Sequence, residues 1–203
     1  LQYDPAEYWY ERGKRYYSEF HYNKEYRLQE KFLLDALKKL SFSSVLEVGC
    51  GFGRITKSVL ENCNTSEYTA IDLSPDQIIN AKAYVGDVTE VQFIVSDIQS
   101  FHPHRKYDLV LAAEVLLHVK PNDVRTAIVK LLSLTNKYFV HVDWCEDTPP
   151  ENAPEYFNFM HDYDRIYSDL QVEYSKQRIT SKSKFNSVDT RQALFVIKAS
   201  MSH

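Results

Sequence analysis

No apolar run in this chain approaches the ~20 residues that a membrane-spanning helix needs. Stretches such as Leu109 to Ala113 end after five residues, so no membrane span is predicted. The opening residues, Leu1 to Glu7, carry charges and a proline in place of the apolar centre of a secretory signal, and the expected location is cytoplasmic. Cysteine is sparse. Cys50, Cys63 and Cys145 are odd in number and widely spaced, with no CxxC pair and no Cys/His cluster at zinc spacing. That excludes a disulfide framework and offers no metal site; the thiols are expected to be reduced. Internal repeats and low-complexity stretches are also missing. Glycine is scarce, five in 203 residues, yet three stand together at 49, 51 and 53.

What is present fits one globular domain. A chain of 203 residues, 44% apolar and 26% charged, can bury a full core without staples. Its charge is uneven: residues 1–44 carry +1, residues 45–164 carry −9 and residues 165–203 carry +4. The acidic middle suits a cationic ligand, and the basic end is a modest patch of a solvated face.

Hydrophobic periodicity divides the chain further. Residues 24–40 have Leu28, Phe32, Leu33, Leu37 and Leu40 on one stripe, a helix with Asn23 as its N-cap. From residue 45 short apolar strands alternate with helical patterns. The strands are Val45–Val48, Tyr68–Ile71, Val91–Val95, Tyr107–Ala112 and Tyr138–Val142. Helices are predicted over Arg54–Asn62, after Ser74 and from Pro121. Ser74-Pro75-Asp76-Gln77 reads as a helix start, with Ser74 as cap, Pro75 first in the helix and Gln77 closing a capping box. Repeated βα units mean a parallel sheet with helices on both faces. Beyond residue 144 the pattern changes: a proline- and acid-rich loop at Asp147–Pro154, a helix over Glu155–Leu170, and two strands, Val172–Ile179 and Ala193–Ala199, as an antiparallel pair at the sheet edge.

The sharpest local signal is Val45-Leu46-Glu47-Val48-Gly49-Cys50-Gly51-Phe52-Gly53-Arg54. A strand runs into glycines and a helix follows, which permits a tight turn and close approach of a ligand to the backbone. A dinucleotide loop is GxGxxG; here Arg54 stands at the last position and Glu47 precedes the loop. The carboxylate is ill-suited to a pyrophosphate, so NAD is not expected. It suits a ligand that carries an ammonium and a sulfonium.

These residues resemble the first motif of class I S-adenosylmethionine-dependent methyltransferases, and the likeness runs in order and spacing from about Val45 to Val142. The resemblance implies a Rossmann-like α/β fold: a seven-stranded, mostly parallel sheet with helices on both faces and an antiparallel final strand pair. It implies a methyltransferase domain over residues 45–203, preceded by a helical lid or cap at 1–44. It implies S-adenosylmethionine as the cofactor, with Glu47, Gly49, Cys50, Gly51, Gly53 and Arg54 around its methionine part. Asp72, at the end of the second strand, would take both ribose hydroxyls. Asp97, in Ser96-Asp97-Ile98, would accept from the adenine amine, with Leu73 and Ile98 on either side of the ring. The end of the run Tyr107–His118 would line the methyl-transfer pocket, and Glu114 in it is counted among the cofactor-binding residues.

Two histidines are candidates for the base that an oxygen or acidic nitrogen acceptor needs. His118 follows the fourth strand, where parallel sheets bind ligands. His141 alternates with Asp143 on the fifth strand and faces the same side. His161-Asp162-Tyr163 resembles a stretch found in some small-molecule and glycan-modifying members, which makes His161 and Tyr163 acceptor-site candidates. The aromatic stretch 8–17 is the natural lid, with Trp9 and Tyr16 over the site and Arg12 facing a carboxylate. The expected acceptor is a small molecule or a glycan- or lipid-linked group. No Asn-Pro-Pro-Tyr motif follows the fourth strand, where Ala112-Ala113-Glu114-Val115 stands, so a nucleic-acid base is less expected. An RNA or protein methyltransferase, or a non-catalytic cofactor-binding subunit, are the competing readings.

Overall fold

Five strands run parallel: β1 (Ser44–Val48), β2 (Glu67–Asp72), β3 (Val91–Val95), β4 (Tyr107–Ala113) and β5 (Thr135–Trp144). The computed structural model describes residues 3–20, 25–87, 91–145, 157–182 and 187–199. Two antiparallel strands, β6 (Tyr174–Lys182) and β7 (Ser187–Lys198), complete a seven-stranded sheet in the order β3-β2-β1-β4-β5-β7-β6. Because both faces are covered, the central strands are apolar almost throughout. Leu46, Val48, Val110, Ala112 and Phe139 pack with α5 (Val124–Ser133) and α6 (Tyr163–Asp169). Val45, Leu109, Leu111, Val140 and Val142 pack with α2 (Glu25–Leu37), α3 (Arg54–Asn62) and α4 (Pro75–Val85). Each fully buried leucine of this set contributes about 1.5–3 kcal/mol.

The chain order reverses between β1 and β4, which opens a crevice at the carboxyl ends of those strands. α1 (Pro5–Phe20) lies across that end. Asp4 caps it, its Oδ1 accepting from the amides of Ala6 and Glu7 at 2.8 and 3.1 Å. The helix is keyed to α4 by Gly13, where a Cβ would stand 2.0 Å from Ser74 Oγ. An interior glycine weakens a helix by roughly 1 kcal/mol relative to alanine; here it lets two elements touch.

Several expected boundaries shift. α2 packs on the sheet, with Leu33 and Leu37 1% and 0% exposed, while its Tyr26 reaches the cavity wall that α1 also lines. The helix expected from Pro121 begins at Val124 after a turn, and Leu132 is only partly buried. The helix expected over 155–170 is confined to Tyr163–Asp169, where Asp162 caps it by accepting from the Arg165 amide at 3.0 Å. Asn23 and the stretch 147–154 lie outside the described residues. The capping box at α4 is half made. Ser74 Oγ accepts from the Gln77 amide at 3.4 Å, but the Ser74 amide is held by Asp72 Oδ1 at 2.9 Å. The Gln77 side chain therefore has no amide to return to.

Candidate functional site

The glycine loop leaves β1 with three positive φ angles, and each glycine answers a different requirement. At Gly49 (φ 67) a Cβ would meet Val115 at 2.4 Å, so this glycine lets β4's exit pack under the loop. At Gly53 (φ 86) a Cβ would meet Val85 and Ala81 at 2.9 and 3.2 Å. Gly53 thus serves the contact of the α3 N-terminus with α4; contrary to expectation, it is absent from the cavity wall. At Gly51 (φ 54) the nearest atom to a Cβ is Gln77 Nε2 at 3.8 Å. Of the three loop glycines, this one leaves the most room beside its backbone, and the room belongs to a cavity.

That cavity measures about 560 Å³, within the ~300–1,000 Å³ common for small-molecule sites. Its wall includes Glu47, Gly49, Cys50, Gly51, Arg54 and Asp72. Leu73, Asp97, Ile98 and Glu114 line it further along. Gln77 is 2% exposed and on the wall, and its Oε1 has no hydrogen-bond partner in the described structure. A buried amide oxygen left unpaired beside an open backbone is the mark of a polar ligand's place. Sequence reasoning missed it because the capping-box pattern gave Gln77 a different task.

Three acids differ in state. Glu47 Oε2 accepts from the hydroxyls of Thr56 and Tyr68 at 2.6 and 2.7 Å. Burial pushes its pKa up to about 7, against those hydroxyls and the positive Arg54. Asp72 accepts from the Gly51 amide at 2.8 Å and from Ser74, and burial raises it above the usual carboxylate range. Asp97 accepts from the amides of Gln99 and Ser100 and the Ser100 hydroxyl at 2.7, 2.9 and 2.6 Å. Those hydrogen bonds outweigh its burial and lower its pKa. Burial also raises the Cys50 thiol, which keeps it unreactive.

His118 sits on a short 3₁₀ turn, Leu116–His118, and lines the cavity. Its Nδ1 lies 3.0 Å from the Phe157 carbonyl oxygen. A carbonyl only accepts, so Nδ1 carries the proton and Nε2 keeps the basic lone pair. Burial lowers its pKa, opposed by the Phe157 carbonyl, then by Asp143 and Asn158. Trp9 of α1 meets the ring edge-on at 4.6 Å, and Trp9 and Tyr16 both line the cavity.

Four other candidates lie off the cavity wall. His141 and Asp143 do share a side, with Nδ1 and Oδ2 2.8 Å apart, but that side is the core. His141 is 0% exposed between Phe139 and Phe195, and Tyr167 donates to its Nε2 at 2.6 Å. Asp143 Oδ1 accepts from the Leu117 amide at 3.1 Å, so the pair braces the turn that carries His118. His161 donates from Nε2 to the Leu116 carbonyl at 2.9 Å, a second brace, and Tyr163 is buried beside it. Arg12 pairs with Glu19 on its own helix at 2.6 Å.

At the far end of the cavity Tyr26, Gln29, Glu30 and Gln192, which the sequence did not flag, join Tyr16, Arg54 and Glu114, which it did. Tyr16 and Tyr26 hydroxyls meet at 2.8 Å and both residues line the wall. Arg54 donates to Glu30 at 2.9 Å and Gln29 at 2.5 Å and lies over the Tyr26 ring at 4.0 Å. Gln192 of β7 donates to Glu114 Oε1 at 2.6 Å. Glu114 has φ 58, a conformation that costs a non-glycine residue about 1–3 kcal/mol and is concentrated at functional sites. Among the described residues no group of three or more His, Cys, Asp or Glu could hold a metal ion, and no helix is long and apolar enough to cross a membrane.

Strand order, glycine loop and cavity come together at the carboxyl ends of β1 and β4. Residues 45–137 match the methyltransferase-domain family, and the strand order is the one that the resemblance to class I S-adenosylmethionine-dependent methyltransferases implies. It is similar to malonyl-acyl-carrier-protein O-methyltransferase 1 of Ilyobacter polytropus, 36% identical over 69 residues, 34% of this chain and 26% of that protein. It is also similar to nodulation protein S of Rhizobium tropici, 29% identical over 111 residues, 54% of this chain and 46% of that one. The chain thus spans between about a quarter and a half of these two curated relatives. The crystal structure of N-methyltransferase NodS from Bradyrhizobium japonicum with S-adenosyl-L-homocysteine aligns at a TM-score of 0.75 and 19% identity, over 97% of this chain and 99% of that chain. That likeness is one of fold.

Proposed function

We propose that this chain transfers the methyl group of S-adenosylmethionine to a small-molecule acceptor. One observation carries the reading: a single cavity runs from the open Gly51 backbone and the unpaired Gln77 amide, past Asp72 and Asp97, to His118 beneath α1. Gly49, Gly51 and Glu47 would hold the methionine part, Asp72 the ribose diol, and Asp97 the adenine amine between Leu73 and Ile98. When bound, S-adenosylmethionine supplies an electrophilic methyl carbon on a sulfonium. The protein's share is alignment, exclusion of water and handling of one proton. The Nε2 of His118 takes that proton from the acceptor, and the turn braced by Asp143 and His161 holds the ring in place. α1, with Trp9 and Tyr16, acts as the cap that closes the site.

Calorimetric titration with S-adenosylmethionine and S-adenosylhomocysteine tests the cofactor. Saturable binding is expected for both and none for NAD, and Asp72→Ala should weaken S-adenosylmethionine by about 1–3 kcal/mol. Undiminished affinity in that variant, or NAD competing with S-adenosylhomocysteine, overturns the assignment. Activity is then read as S-adenosylhomocysteine release over a panel of acceptors. Binding without turnover on small molecules, nucleic acids or proteins would make the chain a cofactor-binding subunit instead.

A further inference from the structure

The wall of the cavity beyond the glycine loop has a chemistry of its own. Val115 abuts Gly49, so the preceding residue, Glu114, stands at the carboxyl end of β4 beside the loop. His118 follows on the same stretch, its amide bonded to the Val115 carbonyl at 3.0 Å. We propose that Glu114 and the aromatic frame of Trp9, Tyr16 and Tyr26 form a subsite for an amine, bound as its ammonium, and that the acceptor atom is nitrogen. This rests on the methyltransferase reading above.

Three observations favour an amine over the other acceptors. The first is charge. Glu114 is the acid at this end, and its influence reaches both phenols: burial and then Glu114 raise the Tyr26 hydroxyl, and burial, Tyr26 and Glu114 raise Tyr16. Adding a substrate carboxylate there would set two anions together. The second is the state of Arg54, the cation beside Tyr26; the other cation of the wall, Lys120, lies past His118. Arg54 is committed to Glu30, Gln29 and the Tyr26 ring, so its guanidinium is already paired. The third is the frame itself. Phenol oxygens accept N–H bonds and aromatic faces attract cations, whereas an alcohol can donate its one O–H to the carboxylate but brings no positive charge to it or to the rings.

The reaction balances without a further reagent. An N–H proton of the ammonium passes to His118 Nε2. The freed nitrogen lone pair attacks the methyl carbon, and the carbon–sulfur bond breaks with its electron pair returning to sulfur. The product is a methylated ammonium opposite Glu114, and His118 releases its proton to solvent.

The test uses the full chain saturated with S-adenosylhomocysteine and three probes of one skeleton: benzylamine, benzyl alcohol and benzoate. Benzylamine is expected to bind at least about tenfold more tightly than the other two, the worth of a charge-assisted contact. It should also be the one whose methylation releases S-adenosylhomocysteine from S-adenosylmethionine. Glu114→Gln should abolish the preference while S-adenosylmethionine affinity stays within about threefold, and Glu114→Asp, which keeps the charge, should restore part of it. Thermal melts of both variants show that they are folded. Benzoate or benzyl alcohol binding as tightly as benzylamine overturns the proposal, as does a preference that survives Glu114→Gln. A large loss of S-adenosylmethionine affinity in Glu114→Gln with the preference intact assigns the carboxylate to the cofactor, and also overturns it. Failure of the wild-type chain to bind S-adenosylhomocysteine shows itself in the first titration and strikes the methyltransferase reading instead.

Discussion

Above neutral pH the folded chain holds an ionised carboxylate where burial favours the acid. Glu47 rises from 4.5 to about 7 because desolvation outweighs the Thr56 and Tyr68 hydroxyls and the Arg54 charge. The folded state therefore binds more protons than the unfolded chain between those two values. Stability from this group is complete below pH 4.5, falls as pH rises towards 7, and is lost above it. At ~1.4 kcal/mol per pH unit the loss is about 3 kcal/mol. Glu47→Gln removes it, since an amide oxygen still accepts from Thr56 and Tyr68 and carries no charge. Urea denaturation without cofactor should show the variant about 1–3 kcal/mol more stable than wild type at pH 8, the lower figure allowing for an imperfectly paired amide N–H. At pH 5 the two should be nearly equal. The same variant should bind S-adenosylmethionine more weakly, because its cationic groups lose a carboxylate. Binding to wild type at pH 7 should release up to about half a proton, the share Glu47 still holds there, visible as a dependence of the calorimetric heat on buffer ionisation enthalpy. A variant no more stable than wild type at pH 8 would refute the reasoning.

Other perturbations separate the parts of the site. His118→Ala should lower turnover by about 10²–10⁴ with little change in S-adenosylmethionine affinity; near-normal single-turnover rates would remove it from proton transfer. Tyr167→Phe leaves His141 Nε2 without its donor and should destabilise the fold by about 1–3 kcal/mol in urea, while a loss of cofactor affinity would contradict its place away from the cavity. Gly13→Ala drives a methyl group into Ser74, so hydrogen exchange across α1 should quicken and turnover fall while the sheet stays protected. Unchanged exchange would mean that α1 does not rest on Ser74.

The strands and the glycine loop were legible because their signals are local. A run such as Val45–Val48 bounded by glycines reads the same in any context, and the ladder β1–β5 follows from it. The direction of a side chain is another matter. Period two correctly placed His141 and Asp143 on one side of β5, but only the packing of α6 and β7 decides that this side is sealed. Arg12 looked available until Glu19 came round the helix to meet it. Glu114 could be named, though not its left-handed backbone, which depends on the chain turning away from β4. Tyr26 and Gln29 lay within an ordinary amphipathic pattern, and nothing short of tertiary structure brings them to Arg54.

Ser74 touches three parts of the molecule at once. Its hydroxyl starts α4, its amide is held by Asp72, and Gly13 of the roof rests against it. Seating the roof and ordering the Asp72 side of the cavity are therefore one mechanical event. A molecule built this way ties its cap to its cavity: a shift of α1 off Ser74 is felt at once by the carboxylate that accepts from the Gly51 amide.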